Sequence, residues 1–126
     1  MKNLVLGVFL VAFTFVVQAQ DKMKKAVKTV SLEQTKGEFT QKALTLSEGT
    51  YVFNVTNTNA APEVGLVLIQ AGKDGSNAKN HIADAYLSQM VKHGKTESSK
   101  AVTLKKGTYK YFCPFNKTPQ YTLTVE

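Results

Sequence analysis

The chain has one cysteine, two histidines, three prolines and no tryptophan. It also has no arginine, so all 16 basic residues are lysine. One cysteine cannot form a disulfide within the chain, and one cysteine with two histidines cannot build a four-ligand zinc site of the Cys/His type. Without arginine, a basic chain lacks the side chain best suited to read phosphates and guanines in a bidentate way. Its lysines are scattered, so no nucleic-acid partner is expected, and the positive charge is read as a solvated surface that attracts acidic partners. No phosphate loop, paired-carboxylate signature or Ser-His-Asp arrangement occurs, and no enzyme is expected.

The only long apolar run is at the start. In "MKNLVLGVFLVAFTFVVQAQ", Lys2 forms a short positive region, and Leu4 to Val17 is apolar apart from Gly7 and Thr14. Val17-Gln18-Ala19 offers small residues where a signal peptidase reads, so residues 1–19 are expected to be a cleaved signal peptide. The run is short of the roughly 20 residues of a stable span, so no stable membrane anchor is expected after cleavage. The protein is then expected to be periplasmic or secreted. Removing 19 of 126 residues leaves 107, with 15 Lys against 9 acidic residues, a net charge of +6. That is enough chain for one core. Residues 20–26 are expected to form a flexible lead-in to a domain over residues 27–126. In an exported chain a bare exposed thiol risks oxidation, so Cys113 is a buried inert thiol, an intermolecular crosslinker or a metal ligand.

From Val27 the pattern is short and β-rich. "VKTVSLEQ", an interrupted "EFTQKALTL", "TYVFNVTN", "VGLVLIQ", "KAVTL", "TYKYFC" and "YTLTVE" read as strands. In "TYVFNVTN" the alternation puts Tyr51, Phe53 and Val55 on one face. "VGLVLIQ" is apolar throughout, as a strand covered on both faces would be. "TLSEGTY" at 45–51 is echoed by "TLKKGTY" at 103–109, which suggests two equivalent turns with Gly49 and Gly107 in the left-handed region. Seven or so short strands with glycine turns indicate an all-β, Greek-key β-sandwich. "NHIADAYLSQMVKHG" breaks the pattern. Ile82, Tyr86 and Met90 recur at i, i+4, i+8 between Asn80 and Gly94, which predicts one inserted helix near 80–93. "QAGKDGSNAK" before it is expected to be a flexible loop.

Two blocks carry a family resemblance over roughly Phe39 to Glu126. "FTQKALTLSEGTYVFNVTNTNAAPEVGLVL" and "LKKGTYKYFCPFNKTPQYTLTV" together resemble the cupredoxins, the small exported blue-copper proteins. The second block is similar to the family's G-x-Y-x-[FY]-x-C-x-x-H ending. A blue-copper centre needs a soft thiolate, two imidazoles and a weak axial ligand. Carried over position by position, the resemblance implies Cys113 as the thiolate. Its first histidine falls on Glu63, its second on Asn116, and its axial methionine on Pro119 with Gln120 beside it. A glutamine serves as the axial ligand in some members.

The resemblance therefore implies an exported binding or interaction protein whose standard blue-copper site is lost, with loop 114–120 and segment 80–93 as its partner surface. The other implication is a copper-binding or electron-transfer protein with an altered site built on Cys113 and Glu63, helped by Gln120 or His81, and with copper as cofactor. Its partner would then be a redox protein. His81 and His93, roughly 18 Å apart along one helix, could not both serve one ion. Met90 and His93 could share a helical face that holds Cu(I) weakly. Helix entry, helix exit and core packing are the ordinary explanations of His81, His93 and Met90.

Overall fold

A computed structural model describes residues 26–126. The expected signal peptide and all but the last residue of the expected lead-in lie outside the described residues. Ten strands form: β1 Val27–Thr35, β2 Glu38–Phe39, β3 Ala43–Leu46, β4 Gly49–Asn57, β5 Glu63–Val64, β6 Val67–Gln70, β7 Val91–Lys92, β8 Thr96–Leu104, β9 Gly107–Phe112 and β10 Tyr121–Val125. Two four-stranded sheets, ordered β2-β1-β4-β8 and β3-β10-β9-β6, face each other, and β5-β7 forms a two-stranded clip at one end. Only β1–β2 and β9–β10 are chain neighbours paired in one four-stranded sheet. The other connections cross, and the expected Greek-key sandwich is what forms.

Alternation decides which residues fill the space between the sheets. On β4, Tyr51, Phe53, Val55 and Asn57 are buried and the residues between them are half-exposed. On β1, Val30, Leu32 and Gln34 point inward. They meet Leu68, Tyr111, Leu123 and Val125 of the second sheet in one core. The apolar run 64–69 is buried throughout. Leu66 and Leu68 belong to the main core, while Val67 and Ile69 pack with Phe112 in a small second cluster, as a strand covered on both faces requires.

The repeated "TL-x-x-GTY" is a pair of tyrosine corners. The Tyr51 hydroxyl donates to the Ser47 carbonyl at 2.7 Å, and the Tyr109 hydroxyl donates to the Lys105 carbonyl at 2.8 Å. Each tyrosine reaches back four residues across a point where the chain changes sheet, from β3 to β4 and from β8 to β9. The two corners also touch, because the Lys106 N–H donates to the Glu48 carboxylate at 2.8 Å. The expectation of a glycine-favouring backbone holds for Gly107, at φ +154°, and fails for Gly49, which is not at positive φ. A Cβ on Gly49 would stand 3.6 Å from the Tyr51 ring, an ordinary contact, so crowding does not require glycine there.

The predicted helix near 80–93 is not an α-helix. Helical structure there is limited to two single 3₁₀ turns, Ala78–Asn80 and Ala83–Ala85, followed by β7. The reason is where the backbone donors go. The Ile82 N–H bonds to the Leu68 carbonyl at the edge of β6, and the Ser88 N–H bonds to the Ser98 carbonyl at the edge of β8. Sheet edges outbid an i→i−4 ladder in a segment too short to be a stable helix alone. The loop before it, expected to be flexible, is folded onto β9. A Cβ on Gly75 would stand 2.8 Å from the Phe112 ring and 2.9 Å from the Gln120 amide, so a side chain there would force these neighbours to shift.

Two consequences can be measured. Tyr51→Phe and Tyr109→Phe should each cost about 1 kcal/mol in urea unfolding, the worth of one hydrogen bond. Burial, and then the charge of neighbouring Tyr121, push the Tyr111 phenol up to about 12. An unfolded tyrosine titrates near 10. Between those values the folded chain keeps a proton that the unfolded chain has lost. The contribution is therefore complete below pH 10 and declines as pH rises toward 12. Over that window the wild type should lose up to about 1.4 kcal/mol per pH unit more than Tyr111→Phe.

Candidate functional site

Cys113 closes β9 at one pole of the sandwich, where β1 ends and β5 runs into β6. Successive strand residues point to opposite faces. Phe112 therefore joins the outer cluster with Val67 and Ile69, and Cys113 joins the main core with no exposed surface. Its sulfur accepts the Gly65 N–H at 3.3 Å. The Gly65 carbonyl accepts from Gln34 Nε2 at 2.8 Å, and Gln34 Oε1 accepts from Asn116 Nδ2 at 3.2 Å. The same Asn116 amide donates to the Thr35 carbonyl at 2.8 Å, and Asn116 Oδ1 accepts the Gly37 N–H at 2.8 Å. Four segments are thus joined through two buried amides. Among the described residues no buried side-chain nitrogen or oxygen lacks a partner.

The loop after Cys113 is shaped so that Asn116 can do this. The Thr118 N–H returns to the Cys113 carbonyl at 3.2 Å and the Lys117 N–H to the Pro114 carbonyl at 3.1 Å. This nested pair closes a turn that needs a left-handed residue, and Lys117 supplies it at φ 53°. The Thr118 hydroxyl accepts the Cys113 N–H at 2.9 Å and donates to the Pro119 carbonyl at 2.9 Å. Asn116 is left pointing inward, 6% exposed.

The four residues singled out as metal ligands do not converge. Glu63 is exposed, opposite Lys92 in the β5–β7 ladder, and the residue of β5 turned into the core is Val64. Gln120 is exposed and lies over Gly75 on the Phe112 side. His81 is on that outer side too, its ring edge-on to Phe112 at 6.4 Å between centroids. Cys113 is the one member on the inner side. Both His81 nitrogens are engaged, Nε2 with the Gly75 carbonyl at 2.7 Å and Nδ1 with the Tyr86 hydroxyl at 2.5 Å. A carbonyl only accepts, so Nε2 carries a proton toward it, and Nδ1 is paired with the phenol hydroxyl. His93 is exposed. Among the described residues no group of three or more His, Cys, Asp or Glu side chains is placed to hold a metal ion. A thiol bordered by two amides and a valine is not the thiolate and two imidazoles of a blue-copper centre, so the residues present do not fit that group.

The segments 114–120 and 80–93 do meet. Pro114 and Phe115 on one side and Tyr86, Leu87 and Met90 on the other flank a groove of about 470 Å³ floored by residues 65–67. Phe115 is 65% exposed and Tyr86 42%. They are two of the three large apolar side chains exposed among the described residues. Met90 packs against Gly65, its sulfur 3.5 Å from where a Cβ would be, so the groove floor and the Cys113 hydrogen bond share one residue. Gln34 was not foreseen as part of this end of the molecule. Its signal is its place in Val30-x-Leu32-x-Gln34, an inward position of an alternating strand.

Removing the Asn116 amide strands three backbone or side-chain partners at once. Asn116→Ala should lower stability by about 2–3 kcal/mol, read as a lower urea midpoint at unchanged m.

Comparison with known proteins agrees with this architecture. A search of the curated proteins finds no match. Among solved structures, one similar chain is auracyanin A, described as a blue copper protein from the green thermophilic photosynthetic bacterium Chloroflexus aurantiacus. It is 19% identical, covers 80% of this chain and 100% of its own, and has a TM-score of 0.64. Auracyanin B is 25% identical over 79% of this chain and 88% of its own, with a TM-score of 0.58. A purple cupredoxin from Nitrosopumilus maritimus is 17% identical over 77% of this chain and 99% of its own, at 0.51. The family model described as "Cupredoxin-like domain" matches residues 6–125, nearly the whole sequence. The chain belongs to the cupredoxin-like domain family.

Proposed function

We propose that this chain is an exported, non-enzymatic binding protein of the cupredoxin-like family that no longer carries a blue-copper centre. The fold is that of copper-binding, electron-transfer proteins, and similar structures include a blue copper protein and a purple cupredoxin. One observation carries the reading. Where a ligand loop would hand a histidine to a metal, Asn116 is committed to β1 and the β1–β2 turn, and its partner Gln34 is committed to Gly65. Every polar group there is satisfied without an ion. The partner surface in this reading is the groove between loop 114–120 and residues 81–90. The net charge of +6 left after residue 19 draws acidic partners to the protein. Export rests on the apolar start with Val17-Gln18-Ala19. Among the described residues no helix is long and apolar enough to cross a membrane.

A second reading has its own observation. The Gly65 N–H is donated to the Cys113 sulfur, and a backbone N–H on sulfur is a feature that a copper-bound cysteine would use. This altered copper site would be built on Cys113 and Glu63, and it requires Glu63 to leave solvent and turn inward. Titration with Cu(II) separates the two. The proposed function expects no intense visible thiolate-to-copper band, and copper binding by Cys113→Ala no weaker than by the wild type. A strong band that disappears in Cys113→Ala would establish the second reading instead.

A further inference from the structure

The loop laid over β9 contains Asp74-Gly75, the one place in the chain where an aspartate or asparagine precedes a glycine. From its geometry we infer that Asp74 is a modification site, at which the chain converts by itself to isoaspartate, and that the hydrogen bond from His81 to Gly75 governs the rate. The step needs only water. The Gly75 amide nitrogen attacks the Asp74 side-chain carboxyl carbon, a C–N bond forms, the nitrogen gives up its proton, and one water leaves with a carboxyl oxygen. Water then opens the resulting five-membered imide. When it breaks the bond between the nitrogen and the former main-chain carbonyl, that carbonyl becomes a carboxylate and the chain continues through the Asp74 side chain. One water is lost and one is gained, so the mass is unchanged. A Cβ on the attacking residue would crowd this ring closure, and glycine has none. The inference does not depend on what the groove binds.

Asp74 and Ser76 are exposed, so water reaches both. The Asp74 side chain is folded along the chain that follows it. Its Oδ1 accepts the Ser76 N–H at 3.0 Å and the Ser76 hydroxyl at 2.7 Å, which keeps the carboxyl beside the Gly75 peptide that must attack it. The same two bonds, the hydroxyl's first, hold the carboxyl below its usual range, so its uncharged, reactive form is scarce and the change is slow. Gly75 itself is held. Its carbonyl accepts from His81 Nε2 at 2.7 Å, and its open side faces the Phe112 ring and the Gln120 amide, where a Cβ would stand at 2.8 and 2.9 Å. Ring closure turns the Gly75 peptide, so this seat must open first. The product carries an extra methylene in the main chain, a lengthening of about 1.5 Å. With no spare room toward Phe112, Gly75 moves out and leaves His81 Nε2 without its carbonyl. His81 also pairs with Tyr86 through Nδ1, so the change reaches the wall of the groove.

The wild type, Asp74→Glu and His81→Ala are aged at neutral pH and body temperature beside a synthetic peptide of residues 70–80. Isoaspartate is read by enzymatic methylation of its free carboxylate and located by fragmentation mass spectrometry. It should accumulate at position 74 in the folded wild type, more slowly than in the peptide, and at least threefold faster in His81→Ala than in the wild type. An unchanged amide spectrum over β1, β4 and β10 verifies the His81→Ala fold. Asp74→Glu, which would need a six-membered ring, should give no signal there. The modified wild type, separated by ion exchange, should differ in amide shifts at Gly75, His81, Tyr86 and Phe112 and match fresh protein at Tyr51 and Tyr109. No isoaspartate at Asp74 by the time the peptide has half converted, an equal rate in His81→Ala, or shifts confined to residues 73–76 would each overturn the inference.

Discussion

The pole of the sandwich that carries Cys113 depends on the carboxamide of Asn116. Its oxygen holds the turn between β1 and β2, and its nitrogen holds both the end of β1 and the amide of Gln34. Gln34 in turn fixes Gly65, and Gly65 fixes the thiol. Loop, first strand and the β5–β6 junction are therefore locked by neutral hydrogen bonds, where each lost partner is costly. A metal centre accomplishes a similar clasp with coordination bonds. Here neutral side chains join the same segments.

The inward turn of Asn116 has an effect on the outside of the molecule. Because Asn116 turns inward, the loop displays Pro114 and Phe115 outward, and the Schellman-type closure at Lys117 fixes them there. The opposite wall comes from a segment whose backbone is tied to two sheet edges, at Leu68 and at Ser98. Its side chains at 86, 87 and 90 are thereby spread along a slot rather than gathered on one helical stripe. Loop and wall are held by different bonds, yet Gly65 is common to both, touching Met90 on one side and Cys113 on the other.

Much of the fold was legible because alternation on β1 and β4 is strict and the run 64–69 is too apolar for any surface position. The echo of "GTY" was visible as a repeated turn. Its meaning as two hydroxyl-to-carbonyl corners was not, since that requires knowing that the chain changes sheet at both places. The segment 80–93 misled for a physical reason. Residues spaced by four also line one side of an irregular strand-like path when backbone donors are taken by neighbouring edges, and no local pattern reports those edges. At the candidate site the difficulty was one of register. Between Glu63 and Val64 a single step decides which side chain is in the core, and likewise Phe112 and Cys113 look to opposite faces of one sheet. The resemblance placed Gln120 beside Cys113, and His81 was one of only two histidines that could join them, whereas both lie on the Phe112 side and Cys113 on the core side.

The complete burial of Cys113 gives the protein an internal reporter. A thiol reagent can reach the sulfur only when the pole opens, and the molecule has no second thiol to confuse the signal. When closing is faster than labelling, the modification rate measures the free energy of that opening. A bound ligand that bridges Phe115 and Met90 would slow labelling without touching the cysteine. The lone thiol thus times the breathing of the groove from beneath its floor.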